Sequence, residues 1–278
     1  MNQHMHEVNS GERFGFGANW ASFLKVLDDD RIAEAEASLK DRLDVERLDG
    51  KTFLDIGSGS GLFSLSARRL GAKVFSFDYD LDSVGCAQEL RQRYFPDDPD
   101  WKIAAGSVLD TAYVEQYDKA DIVYSWGVLH HTGSMWEAIE NAQSRVAPGG
   151  IFFISIYNDQ GFQSRVWTFF KKIYNKLPAF LRPAWAVLIM GPYELCRLLV
   201  QTVKGRPFEY FRGIINYRSA RGMSYWHDLV DWIGGYPFEV AKPDEIFAFL
   251  KTRGFVLEKL RTCGGGLGCN EFVFKKVS

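Results

Sequence analysis

Asp55-Ile56-Gly57-Ser58-Gly59-Ser60-Gly61 is the stretch of this 278-residue chain whose residue types and spacing bear most directly on chemistry. It lies between an apolar run, KTFLDIG, and a run with helical spacing, LFSLSARRL, and so reads as a strand-to-helix turn. Glycines in such a turn let the backbone pass close to a bound nucleoside, and the helix start offers N–H groups without partners. In the dinucleotide fingerprint G-x-G-x-x-G the third glycine follows the first by about five residues. Here Gly61 follows Gly57 by four and Leu62 takes the next place, which argues against a nicotinamide dinucleotide. Asp78 closes the next apolar run, KVFSFD, where a carboxylate can accept from both hydroxyls of a ribose. An oxidoreductase would use the same acid, so Asp78 by itself does not discriminate.

Two other groups could move a proton. His130 and His131 follow the apolar run ADIVYSW, and a histidine titrates in the range a general base needs. The pair could equally serve packing. Farther on, His227 stands beside Asp228, preceded by Arg218, Arg221 and Tyr225. A histidine next to a carboxylate could be a base with its orienting partner, although adjacent residues need not face one another. Arg218 and Arg221 could clamp a carboxylate or phosphate. The aromatic residues around them could also be simple core.

Alternating elements must position these groups. Asp28, Asp29 and Asp30 precede a stripe of Ile32, Ala35, Leu39 and Leu43, the pattern of a helix with acids at its positive end. Strand-like KTFLDIG, KVFSFD, WKIAAG, ADIVYSW and GGIFFISIY alternate with helical LFSLSARRL, LDSVGCAQELRQRY and a helix near Met135–Val146. That rhythm predicts βαβ units and a parallel sheet. It breaks after Tyr157 and resumes with PDEIFAFLKTRG, FVLEKL and NEFVFKK, the last two predicting an antiparallel hairpin. The expected divisions are an amino-terminal lid and helix (1–50), a core (51–157 and 242–278) and an inserted cap (158–241).

FLDIGSGSGLFSLSARRLGAKVFSFD resembles motifs I and II of class I S-adenosylmethionine-dependent methyltransferases. YDKADIVYSWGVLHHTGSMWEAIENAQSRVAPGGIFFISIY resembles motif IV and the turn before strand five, closest to the subgroup with the ubiquinone-biosynthesis O-methyltransferases. The resemblance covers roughly Lys51 to Tyr157 and the closing strands. It implies an α/β, Rossmann-like, seven-stranded and mostly parallel sheet with an antiparallel last strand, plus the inserted helical cap.

It also implies roles. Gly57, Ser58, Gly59 and Gly61 would approach the methionine part of S-adenosylmethionine, with Asp55 holding the loop. Asp78 would take the ribose hydroxyls and Tyr79 would lie against adenine. Gly106-Ser107-Val108 stands where relatives often carry an acid for the adenine amino group, and Ser107 departs from that pattern. Ser125 and Trp126 would face the site from the end of the fourth strand. Arg13 to Trp20 resembles the lid segment of related enzymes, which makes Trp20, with His130, a candidate acceptor contact. His131 is the favoured base after the fourth strand, and His227 with Asp228 is the other candidate.

Charge and hydropathy bear on partners. Between Gln160 and Gly222 eleven basic residues face only Glu194 and Glu209, a formal +9 in a chain of net charge −2. Such asymmetry points to an anionic partner, and the leading expectation is O-methylation of a small molecule or glycan bearing an acidic group. A lipid-linked or quinone-like acceptor, a nucleic acid, and a non-catalytic cofactor-binding module are the alternatives. Against nucleic acid, no added RNA-binding module and no N/D-P-P-Y/F signature is present. Ala179 to Val203 is apolar but interrupted by Arg182, Pro183, Pro192, Glu194 and Arg197, which predicts a buried cap helix and no membrane span. Basic residues on both sides would still suit contact with an anionic bilayer. No acidic or histidine cluster has metal-ligand spacing, Cys86, Cys196, Cys263 and Cys269 read as reduced thiols, and the polar amino terminus predicts a cytoplasmic protein.

Overall fold

Strands buried on both faces read as continuous apolar runs, and Phe53, Leu54 and Ile56 in KTFLDIG are all fully buried. The computed structural model describes residues 3–215, 225–266 and 268–277. Helices α1 (Gln3–Asn9), α2 (Gly17–Leu24) and α3 (Asp29–Leu43) lead into β1 (Thr52–Ile56), α4 (Leu62–Arg69), β2 (Lys73–Asp78), α5 (Leu81–Tyr94) and β3 (Trp101–Ala105). Then come α6 (Thr111–Glu115), β4 (Ala120–Trp126), α7 (Met135–Ser144) and β5 (Val146–Tyr157). Between β5 and the closing elements, in the segment expected to form a cap, lie α8 (Phe162–Lys176), α9 (Arg182–Val203), α10 (Pro207–Ile215) and α11 (Tyr225–Gly234). The chain closes with α12 (Pro243–Lys251), β6 (Phe255–Arg261) and β7 (Cys269–Lys276).

The seven strands form one sheet in the order β3-β2-β1-β4-β5-β7-β6, with β7 antiparallel to both neighbours. The predicted seven-stranded, mostly parallel sheet is therefore borne out, and the closing hairpin inserts β7 between β5 and β6. Helices cover both faces. Ile32, Leu39, Leu65 and Leu90 of α3 to α5 pack with Phe53, Val74 and Trp101. Val114, Ile139, Ile246 and Leu250 of α6, α7 and α12 pack on the opposite side with Leu54, Val123 and Phe152. Strand order reverses between β1 and β4, and the crevice beyond their carboxyl ends is where open α/β sheets bind ligands.

Local signals explain the element starts. Asp28 caps α3 by accepting from Arg31 N at 3.0 Å, and Ile32, Ala35 and Leu39 form its buried stripe. The helix predicted near Met135–Val146 stops at Ser144, because Val146 already pairs with Ala120 as the first residue of β5.

One expectation fails. The apolar stretch Ala179–Val203 is not a buried cap helix, since only 6% of its most apolar window is buried. Hydropathy alone does not distinguish an apolar stripe turned inward from one turned outward, and in α9 the only buried residue is Ala186.

Candidate active site

The floor of the crevice is a ladder of side-chain bonds. Buried Asp55, at the end of β1, accepts from the Ser64 hydroxyl in α4. Ser64 Oγ lies 2.7 Å from Ser76 Oγ in β2, which accepts from Trp101 Nε1 of β3 at 3.0 Å. The ladder locks β1, α4, β2 and β3 together beneath the glycine loop. Burial raises the Asp55 carboxyl to about 7, while the Ser64 bond favours the ionised form.

Gly57, Gly59 and Gly61 have φ values of 78°, 53° and 81°, in the left-handed region that favours glycine. At Gly61 a Cβ would also stand 2.8 Å from Ala87 Cα in α5, so a side chain there would push the two helices apart. Asp78, at the end of β2, holds the loop from the other side. Its Oδ2 accepts from Gly59 N at 2.8 Å and its Oδ1 accepts from Asp80 N at 2.9 Å. Each carboxylate oxygen keeps a second lone pair for an outside donor.

Next to Asp78, a cavity of about 460 Å³ is lined by Tyr79, Ala105, Gly106, Ser107, Leu109 and Asp110, and by Gln3, Glu7 and Arg13 from the amino-terminal segment. Ser58 Oγ is buried with no hydrogen-bond partner among the described residues. An acceptor pair for ribose, an aromatic wall at Tyr79 and an orphaned hydroxyl in the loop together fit the S-adenosylmethionine that the sequence resemblance implies.

Burial raises Asp78 to about 6, against the N–H bonds that favour its ionised form. A ribose whose hydroxyls donate to this carboxylate would require its ionised form, and binding would be lost as pH falls through the free-state pKa. The affinity for S-adenosylhomocysteine is therefore expected to drop by up to about tenfold per pH unit below pH 6. Calorimetry across pH 5 to 8 checks this, and Asp78→Asn should lack the step.

The amino-terminal segment closes over this half. Arg13 donates through Nε to Glu7 at 2.8 Å and through Nη1 to His131 O at 2.6 Å, and lies over the Tyr79 ring at 5.2 Å. Glu7 also accepts from the Tyr79 hydroxyl at 3.1 Å. Gly17 N donates to Asp80 Oδ2 at 2.8 Å, and the Trp20 indole lies 3.0 Å from where a Gly59 Cβ would be. From the same turn as Trp20, Asn19 Nδ2 donates to Asp231 Oδ1 in α11. The amino-terminal segment thus connects the glycine loop to α11. Gly234 permits the contact, because a Cβ there would come within 2.3 Å of the Phe14 ring.

After β4, His131 Nδ1 lies 2.6 Å from Pro237 O, which makes Nδ1–H the donor and leaves the Nε2 lone pair free to accept. Burial pushes His131 down to about 3 and His130 well below its ordinary value, so both rings are neutral in this closed arrangement. Neither His130 nitrogen has a partner among the described residues. Tyr157 stands 4.1 Å from His130 and 5.8 Å from Trp232, ring centre to ring centre. Lys171 is fully buried, donates to Trp232 O, and lies 4.5 Å from the Trp232 ring centre and 4.7 Å from that of Phe238. Burial lowers Lys171 to about 7. Burial raises Asp231 to about 7, with the Asn19 bond favouring its ionised form.

Glu239 secures this wall to the core. Its N–H donates to His130 O at 3.0 Å, and its carboxylate accepts from Gly133 N at 2.8 Å and Met135 N at 3.1 Å ahead of α7. Glu239→Ala is expected to destabilise the fold by about 1–2 kcal/mol through loss of this cap, as read by urea denaturation.

The structure brings some of the predicted residues together and separates others. Asp55, Gly57, Ser58, Gly59, Gly61, Asp78, Tyr79, Ser107 and Trp20 lie around the glycine loop, the end of β2 and the cavity beside it. The Ser107 hydroxyl accepts from Leu109 N at 3.2 Å, and Val108 turns into the core beside α7. Ser125 Oγ donates to Ile56 O at 2.8 Å and ties β4 to β1, while Trp126 Nε1 reaches Glu271 at 3.3 Å. Tyr225 belongs to a different cluster, accepting from Arg197 Nη1 at 2.7 Å. It lies about 10 Å along α11 from Trp232 at 1.5 Å per residue. Asp228 sits in the first turn of α11; the side chain of His227 beside it, and Arg218 and Arg221 altogether, lie outside the described residues. Sequence reasoning placed Asn19 in the lid segment and Lys171 in the basic stretch, but gave neither them nor Glu7 or Asp231 an individual role. Lys171 left one signal: it falls on the buried stripe of α8 with Ser164, Tyr174 and Asn175.

A family model described as a methyltransferase domain matches residues 29–191, more than half of the chain. The chain belongs to that methyltransferase family. The resemblance to class I enzymes is borne out with it. Among curated proteins, this methyltransferase is 30% identical over 125 residues to a ubiquinone biosynthesis O-methyltransferase from Methylobacterium sp. (strain 4-46), which covers 43% of this chain and 46% of that one. It is 32% identical over 111 residues to the enzyme of the same name from Paraburkholderia phytofirmans, covering 40% and 46%. The chain therefore matches less than half the length of these relatives. Among solved structures it resembles magnesium protoporphyrin IX methyltransferase from Synechocystis PCC 6803 with bound SAH. That likeness has a TM-score of 0.53 at 15% identity over 88% of this chain and 83% of the other, and it is one of fold.

Proposed function

We propose that this methyltransferase uses S-adenosylmethionine to methylate a hydroxyl oxygen of a small molecule or glycan that carries an acidic group. The observation that supports the donor most directly is Asp78, which braces the glycine loop through Gly59 and keeps lone pairs free beside the Tyr79 cavity. The name of the curated relatives supports an oxygen acceptor. The basic excess of the cap supports an acidic group on it.

Held by the glycine loop and Asp78, the donor would supply a methyl group on a positively charged sulfur, with S-adenosylhomocysteine as the leaving group. The protein's part is alignment, exclusion of water and removal of the hydroxyl proton. The Arg13 and Trp20 contacts close the lid over the reacting groups. We assign the proton to Asp231, since a group near neutrality is ionised often enough to accept it and basic enough to hold it. Asn19 orients that carboxylate. Neutral His131, with Nδ1–H on Pro237 O, presents Nε2 as an acceptor for a second polar hydrogen of the acceptor molecule.

The test is transfer of labelled methyl to a panel of phenols, sugars and alcohols in matched pairs with and without a carboxylate or phosphate. Labelling of the acidic member of a pair on oxygen is expected. Labelling only of neutral members, or only of nitrogen or nucleic-acid acceptors, would overturn the reading.

A further inference from the structure

α9 is inside out for a helix in water. Its charged residues are tied to neighbouring protein groups: Arg197, its side chain 40% exposed, donates through Nη1 to Glu194 at 3.1 Å and to Tyr225 at 2.7 Å, and the Tyr210 hydroxyl donates to Glu194 at 3.1 Å. Trp185 Nε1 donates to Phe170 O of α8 at 3.3 Å, so the helix is fixed side-on against its neighbours. The opposite stripe, Ala184, Leu188, Gly191, Leu195, Leu199 and Thr202, recurs at spacings of three and four and holds no charge. Leu188, Leu195 and Leu199 are 64%, 56% and 53% exposed, whereas the Glu194 side chain is 14% exposed. Phe180 before α9 and Phe208, Phe211 and Ile215 on α10 are exposed too. Helices on soluble domains turn such a stripe inward, and a contiguous exposed apolar surface marks an interaction site.

The charge around this surface selects its partner. Lys176 and Lys204 are exposed near the two ends of α9, and Arg206 and Arg212 are exposed on and before α10. Glu209 is the exposed acid among them and pairs with Arg206 at 3.7 Å. A second copy of the chain docked face to face would set these cations against cations. An apolar stripe rimmed by basic residues is the pattern of a helix lying in a membrane interface. Residues 179–203 are long and apolar enough to span, but the Glu194–Arg197–Tyr225 network holds one face of α9 against the cap. We infer that α9 and α10 form a docking surface for a bilayer containing anionic phospholipid, with α9 lying in the plane of the interface. The inference does not depend on which acceptor is methylated.

Co-sedimentation of the full chain with phosphatidylcholine vesicles, with and without phosphatidylglycerol, tests it. Binding is expected to the anionic vesicles. Combining Leu188→Glu, Leu195→Glu and Leu199→Glu should weaken it by about tenfold or more while leaving the affinity for S-adenosylhomocysteine unchanged. Should that variant lose S-adenosylhomocysteine binding, Lys204→Glu with Arg206→Glu decides, with a comparable loss expected on anionic vesicles alone. Absence of binding to anionic vesicles, or binding that neither variant weakens, would overturn the inference. So would a lipid-free dimer that the leucine substitutions convert to monomer, which would make a second copy the occupant.

Discussion

Asp78→Ala is expected to weaken S-adenosylhomocysteine binding by roughly 10²–10³-fold, as two hydrogen bonds to a charged acceptor are lost. The substitution removes more than a ligand contact. Asp78 Oδ2 is also the acceptor for Gly59 N, so without it the middle of the glycine loop loses its brace. Asp78→Asn separates the two effects. The amide oxygen can still accept from Gly59 N, so the loop should keep its shape, while the charge and one acceptor site are gone. Affinity for the asparagine variant should fall between wild type and alanine and be flat across pH 6. Near-normal affinity in Asp78→Ala, measured by calorimetry, would mean that the nucleoside does not lie over β2.

Asp231→Asn is expected to lower kcat by about 10²–10⁴-fold, the range for loss of a general base, with little change in S-adenosylhomocysteine affinity. Asparagine nearly preserves the volume and still accepts from Asn19 Nδ2, so the lid-to-cap contact should survive. The wild-type rate should fall as pH drops below about 7, because Asp231 accepts a proton only when ionised. Asp231 is not isolated in this respect. Asp228 raises its pKa and Lys171 lowers it, so Lys171→Met should shift the acid limb of the rate profile upward. An equal fall in kcat and cofactor affinity for Asp231→Asn would make it a structural strut between α2 and α11, not the base.

The donor half was legible in the sequence because its parts are contiguous. One strand, one glycine turn, one helix and the next strand end bring Asp55, Gly57, Gly59, Gly61 and Asp78 into a single βαβ unit, whose right-handed crossover leaves little freedom. The acceptor half was not, for the opposite reason. Asn19, Lys171 and Asp231 come from three distant segments and meet only when α2, α8 and α11 pack, which no local pattern encodes. His131 was visible as a residue type, but its Nδ1 bond to Pro237 O and its burial, which leave the ring neutral, are tertiary facts. Tyr225 was grouped with His227 and Asp228 by adjacency, yet the helical turn carries it toward Arg197. α9 shows the limit most clearly: its apolar residues were counted correctly, but hydropathy has no direction, and the stripe points outward.

The most direct test of the account is calorimetric titration of the protein with S-adenosylhomocysteine and NAD side by side, repeated on Asp78→Ala. Saturable binding of S-adenosylhomocysteine that the substitution weakens by roughly 10²–10³-fold, with no heat from NAD, is the predicted result. Binding of NAD, or S-adenosylhomocysteine binding indifferent to Asp78, would contradict it.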